Sequence, residues 1–313
     1  MAKTWVRIST RSFRKSQAFT NQTAAFAHIP SPLLPEGVWT DSPGLCHCKS
    51  LPMGKPGVVF LMYHELAAPG RALAQSASGY VRYVVDSSSF RAQMELLQKE
   101  GWQGVSVGEA TRSFSDKTVA ITFDDGSETD ILYAAPILHE LGFGATFYIT
   151  SGWSGRPGYL AAPQLRELSD LGFEIGSHSM NHLYLTDLDD SGLQREIGDS
   201  KASLERVVGK PVEHFSCPGG RYNTQVAQIA RNHGYRTVAT SGTKANTPST
   251  DLFALGRVAV MRSTSLAQFR GLSQGRGLWR SHLGVGIRRA VMNLIGNSTY
   301  DRLREQLLRR SSK

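Results

Sequence analysis

The chain has 313 residues, 40% hydrophobic and 19% charged, a globular composition that excludes fibrous and intrinsically disordered classes. Its formal net charge of +9 is unevenly placed. From Arg270 to Lys313, ten Lys and Arg stand against two acids, Asp301 and Glu305, which leaves the rest of the chain close to neutral.

In chain order, the N-terminus is basic and Ser/Thr-rich, like a transit peptide, and lacks the continuous apolar core of a secretory signal. Residues 1–55 read as a poorly ordered leader. Its "CHC" at 46–48 has no second ligand pair at zinc-finger spacing, and three cysteines make no disulfide framework. Order is expected from residue 56. "VVFLMYH" (58–64) reads as a buried strand, and "DSSSFRAQMELLQKEG" as a helix with Phe90, Met94 and Leu97 at helical spacing. "GVSV" (104–107) reads as a short strand. "TVAITF" (118–123) is an uncharged strand suited to burial on both faces. "ETDILYAAPILHELG" is helical with a kink at Pro136. There follow strand "ATFYIT", helix "APQLRELSDLG", strand "FEIGSH", helix "DSGLQREIGDSKASLERVVG", strand "HFSCPGG", helix "NTQVAQIARNHG", and strands "YRTVATS" and "LGRVAV". The last forty residues look helical, with 286–310 amphipathic.

Strands separated by helices, with no two-residue hairpin between them, imply parallel pairing with crossover helices. A (β/α) barrel and a doubly wound sheet both fit. The first strand ends in "MYHELAAPG", without a glycine-rich phosphate loop, and the seven or eight strands favour the barrel. No run reaches 18 apolar residues, so no transmembrane helix is expected. That favours a cytoplasmic or peripheral-membrane location.

Chemistry in parallel α/β folds gathers at the C-terminal ends of strands. Tyr63-His64-Glu65, Asp124-Asp125-Gly126, His178 with His182, and Pro218-Gly219-Gly220-Arg221 all follow strands. The adjacent carboxylates of "TFDDG" repel unless a cation shares them. Taken alone, they fit a helix-capping pair equally well. The four-residue spacing of "HSMNH" can bring two imidazoles to one metal or belong to an ordinary histidine pair. Together the two motifs supply one carboxylate and two histidines with positions left open for water and substrate.

"TFDDG" and "HSMNH" resemble the first two motifs of the polysaccharide deacetylases, the NodB homology family (carbohydrate esterase family 4). The resemblance runs through "ATFYIT", "FSCPGGRYN" and "GYRTVAT" and covers about residues 57–262. It implies a distorted (β/α) barrel of seven or eight parallel strands. It also implies a divalent metal, zinc first, with cobalt, nickel, manganese or iron as alternatives. By the family motifs, Asp124 is the base that activates a metal-bound water, and Asp125, His178 and His182 are the metal ligands. Gly219 is the backbone donor to the oxyanion, and Tyr63 belongs to the substrate-side set. Two departures stand out. Ser216 replaces the arginine that orients the base, so Arg221 or Arg257 is expected to take its place. No late Leu-x-His motif supplies the acid, so His64 is expected to serve.

The expected activity is removal of N-acetyl groups from an N-acetylated sugar, polysaccharide or lipid-linked sugar, with release of acetate. The alternatives are hydrolysis of another non-peptide C–N bond in a small molecule, or a non-catalytic carbohydrate-binding relative. The deacetylase domain is placed at 56–265 and a basic amphipathic extension at 266–313. That extension is expected to pack on the barrel, with peripheral contact to an anionic membrane as the other reading. No nucleic-acid partner is expected, for want of an aromatic-interleaved basic motif.

Overall fold

The apolar runs become parallel strands in the computed structural model, which describes residues 57–278. The leader at 1–55 and the amphipathic segment at 286–310 lie outside the described residues. The first strand is β1 (Val59–Tyr63), followed by the short β2 (Leu66–Ala67), α1 (Ser78–Val81) and β3 (Val85–Asp86). Then come α2 (Ser87–Lys99), β4 (Gln103–Val105), α3 (Val107–Arg112), β5 (Thr118–Phe123), α4 (Ala135–Glu140) and β6 (Thr146–Ile149). The remainder is α5 (Ala162–Asp170), β7 (Glu174–Ser177), α6 (Asp190–Leu193), α7 (Ser200–Val208), β8 (His214–Ser216), α8 (Thr224–Asn232), β9 (Thr237–Ala239), β10 (Val258–Ala259) and α9 (Leu266–Ser273).

The main sheet runs β10-β1-β5-β6-β7-β8-β9, with β4 beside the start of β5, and every pair is parallel. β5 is buried along its whole length, as its uncharged sequence requires. One short segment closes the circle. Thr240 N–H donates to Leu255 O at 2.9 Å beside β9, and three residues later Val258 pairs with Leu61 of β1. β2 and β3 form a separate two-stranded sheet that the sequence reading missed.

Alternation along the strands sorts their side chains into two sets. Val59, Leu61, Tyr63, Val119, Ile121, Phe123, Phe147 and Phe215 join the large core beneath the helices. Phe60, Ala120, Tyr148, Ala239 and Leu255 form the smaller cluster inside the barrel. At the strand starts a polar network centres on Glu174. It accepts from Thr146 Oγ1 (2.6 Å), Ser106 Oγ (3.2 Å) and Gly108 N–H (3.1 Å), with His214 Nε2 at 3.2 Å.

Three local expectations are corrected. The strand expected at 104–107 ends at Val105, because "SVGE" is a capping box: Ser106 Oγ accepts Glu109 N–H at 3.2 Å, and Glu109 Oε2 accepts Ser106 N–H at 3.0 Å. The helix around Pro136 begins as a π-helical turn at Asp130–Ala134. The helix expected at 190–209 is interrupted by a second π-helical turn, Gln194–Asp199, before ending on left-handed Gly209. Beyond residue 265, α9 packs against α2 and β1 and buries Phe269 completely.

Candidate active site

β5 carries Asp124 and Asp125 to the C-terminal end of the barrel. Alternation alone would point them apart, but Asp125 adopts φ 78° and Gly126 φ 81°. The left-handed turn brings both carboxylates to one side, Asp124 Oδ2 lying 3.8 Å and Asp125 Oδ1 3.6 Å from His178 Nε2. Asp125 Oδ1 is also 3.4 Å from His182 Nε2. Among the described residues, four non-glycines have positive φ, and three of them, Asp125, Ser179 and His182, build this site. Such backbone strain persists where surrounding contacts over-determine it.

The donor set fits a divalent cation. One ligand atom each from Asp125, His178 and His182 lies within 4.8 Å of the others. His178 Nδ1 lies 2.9 Å from the carbonyl of Ser216, which can only accept, so Nδ1 bears the proton and Nε2 turns a lone pair inward. Burial pushes the His178 imidazole down to about 4, which keeps it neutral near pH 7. Asp125 Oδ1 is buried with no hydrogen-bond partner among the described residues. The inward lone pair of His178 and the unpartnered Asp125 oxygen converge, an arrangement that a positive ion would satisfy.

Asp124 is held differently. Arg257 grips it with two hydrogen bonds, Nη1 to Oδ1 at 2.7 Å and Nη2 to Oδ2 at 2.8 Å. Arg257 Nη2 also donates to Ser216 Oγ at 2.7 Å, and Ser216 Oγ donates to Asp124 Oδ1 at 3.4 Å. The small side chain at 216 leaves room for the guanidinium, which is 1% exposed. Burial alone would raise the Asp124 carboxyl, but the charge and the two hydrogen bonds of Arg257 outweigh it and hold the group well below the carboxylate range. Arg221 stands elsewhere, with its guanidinium over the Tyr184 ring at 4.8 Å.

His64 follows β1 into the same end of the barrel. Its ring lies 4.8 Å from that of Tyr83, and its buried Nδ1 has no hydrogen-bond partner among the described residues. Gly219, at φ 60°, turns the chain after β8, and a Cβ there would meet the Tyr184 ring at 2.9 Å. Tyr63 is not part of the site. It is wholly buried on the helix side of β1, donates to Gln93 Oε1 at 2.8 Å, and packs against Phe90 and Phe123. The parity that brings His64 inward sends Tyr63 outward. Reading by residue type missed Trp153, whose ring stacks on His182 at 5.1 Å and 29°.

The sequence profile of the polysaccharide deacetylases matches residues 111–238. A polysaccharide deacetylase homologue from Bacillus subtilis (strain 168), YxkH, is 30% identical over 215 residues, 67% of this chain and 73% of that relative. The chain belongs to the polysaccharide deacetylase family. A second family member, the peptidoglycan-N-acetylglucosamine deacetylase of Bacillus cereus, is 38% identical over 125 residues, 40% of this chain and 56% of that relative. The barrel is the distorted (β/α) barrel of polysaccharide deacetylases. The Streptococcus pyogenes deacetylase PplD, solved with acetate, superposes with a TM-score of 0.63 at 24% identity, over 70% of this chain and 99% of that one. IcaB from Ammonifex degensii gives 0.60 at 24% identity, over 70% and 97%. At that identity the two structures speak to fold alone.

Proposed function

We propose that the protein is a metal-dependent N-deacetylase of N-acetylated glycans, polymeric or lipid-linked, releasing acetate and leaving a free amine on the sugar. The observation that carries this reading is the division of labour between adjacent carboxylates. Asp125 converges with two imidazoles, while Asp124 is tied to Arg257 and kept out of that ligand set. Two relatives are named for N-acetylglucosamine substrates, peptidoglycan in Bacillus cereus and poly-β-1,6-N-acetyl-D-glucosamine in Staphylococcus aureus, which supports this substrate class.

Asp125, His178 and His182 would hold the cation, and this mixed nitrogen and oxygen set suits zinc first, with cobalt, nickel, manganese or iron as alternatives. A bound cation would polarise the amide carbonyl and lower the pKa of a water molecule beside it. Asp124, kept ionised by Arg257, accepts the proton of the attacking water. The backbone N–H at Gly219 is assigned to the developing oxyanion, where a glycine admits close approach. His64 gives a proton to the leaving amine as the C–N bond breaks, from across the barrel mouth. Arg257 positions the base and touches neither reactant.

The test is acetate release from a panel of N-acetylglucosamine oligomers and polymers, with and without chelator. Release that stops with chelator and returns with zinc supports the reading. Chelator-insensitive release, or none on any glycan, contradicts it.

A further inference from the structure

Ser179 and His182 hold φ values of 68° and 60°, so the short loop that presents both histidines is strained and needs outside support. That support comes from one residue of another element. Glu196 lies in the π-helical turn Gln194–Asp199 and is 4% exposed. Its Oε2 accepts the Asn181 backbone N–H at 2.8 Å, and its Oε1 accepts Asn181 Nδ2 at 2.7 Å. Its backbone carbonyl accepts Met180 N–H at 3.1 Å. His182 N–H is in turn taken by Ser179 Oγ at 3.0 Å. The amides of residues 180, 181 and 182 are thus all committed, two of them to Glu196.

The sequence makes this carboxylate conspicuous. Leu193, Ile197, Ser200 and Leu204 are buried along the same helical stretch, and Glu196 sits among them. A carboxylate on an apolar stripe needs compensating hydrogen bonds, and both of its oxygens spend theirs on the residue preceding His182. The π-helical turn frees a backbone carbonyl that also faces the loop; such bulges recur at functional sites.

We propose that Glu196 is a positioning residue for the metal-ligand loop. It acts through Asn181 to hold His182 in register with His178 and Asp125, and so sets the affinity of the site for its cation. This rests on the reading of those three residues as the metal site. Partners that orient ligands from outside typically contribute about 10–100-fold in metal affinity.

The test uses the full chain, stripped of metal and titrated with zinc ion against a chromophoric chelator. Thermal unfolding of the stripped protein is followed alongside. Glu196→Ala should weaken zinc binding about 10–100-fold. Asn181→Ala, which removes one of the two side-chain contacts at an exposed position, should weaken it by less. Adding Asn181→Ala to Glu196→Ala should cost little more, because the two act as a unit. If Glu196→Ala fails to fold, Asn181→Ala and the isosteric Glu196→Gln carry the test. Folded variants that bind zinc as the wild type does, even with a lowered melting temperature, overturn the proposal and leave the metal site standing. Failure of the wild type to bind zinc overturns both.

Discussion

Arg257 and Asp124, 133 residues apart, meet inside the barrel through two hydrogen bonds of 2.7 and 2.8 Å. Removing the arginine leaves a buried carboxylate without its counter-charge, at a cost of about 3–5 kcal/mol. Arg257→Ala should therefore lose that stability in urea unfolding and most of its acetate release. Arg257→Lys keeps the charge but not the planar fork, and should fall between. Ser216→Ala, which removes a neutral hydroxyl, should cost about 1 kcal/mol.

His64 and Tyr63 are adjacent and should respond oppositely. His64→Ala should lower kcat by about 10²–10⁴-fold while zinc content stays at the wild-type level. Tyr63→Phe loses one hydrogen bond, to Gln93, and should cost about 1 kcal/mol of stability with kcat unchanged. Kinetics and metal analysis of the two variants check both expectations.

Glu174 gives a pH dependence remote from the metal ligands. Burial would raise its carboxyl, but His214, Thr146 and the Gly108 N–H together bring it below its ordinary 4.5. A depressed folded value means that this stabilisation is complete above the unfolded value and is lost as pH falls through the folded one. Below about pH 4.5 the wild type should lose stability more steeply than Glu174→Gln. Parallel slopes for the two proteins in urea titrations at pH 3–6 would contradict the assignment.

Phe269 of α9 is wholly buried although it lies beyond the boundary expected at 265. Phe269→Ala should destabilise the barrel by about 3–5 kcal/mol, and a chain ending at Ser265 should be less stable still. The activity per folded molecule should stay unchanged in Phe269→Ala.

Most of the architecture was legible in the sequence because buried strands and amphipathic helices leave different periodicities. The strand 118–123 and the polar residues at the strand ends needed only that signal. Three things did not. Arg257 reaches Asp124 from a two-residue strand far along the chain, and no local pattern distinguishes it from Arg221. The left-handed backbone at Asp125, Ser179 and His182 carries no glycine to announce it, because tertiary contacts impose it. The side taken by Tyr63 is the third: alternation along β1 puts it on the helix side, although its neighbour His64 turns to the barrel mouth.

The central claim is that Asp124 and Asp125 have different tasks although they are neighbours in sequence. Zinc content and acetate release, measured together on Asp125→Ala and Asp124→Asn, test it most directly. Asp125→Ala should lose both metal and activity, and Asp124→Asn should retain the metal and lose activity. An Asp124→Asn protein that remains fully active, or an Asp125→Ala protein that still holds zinc at the wild-type level, would contradict the account.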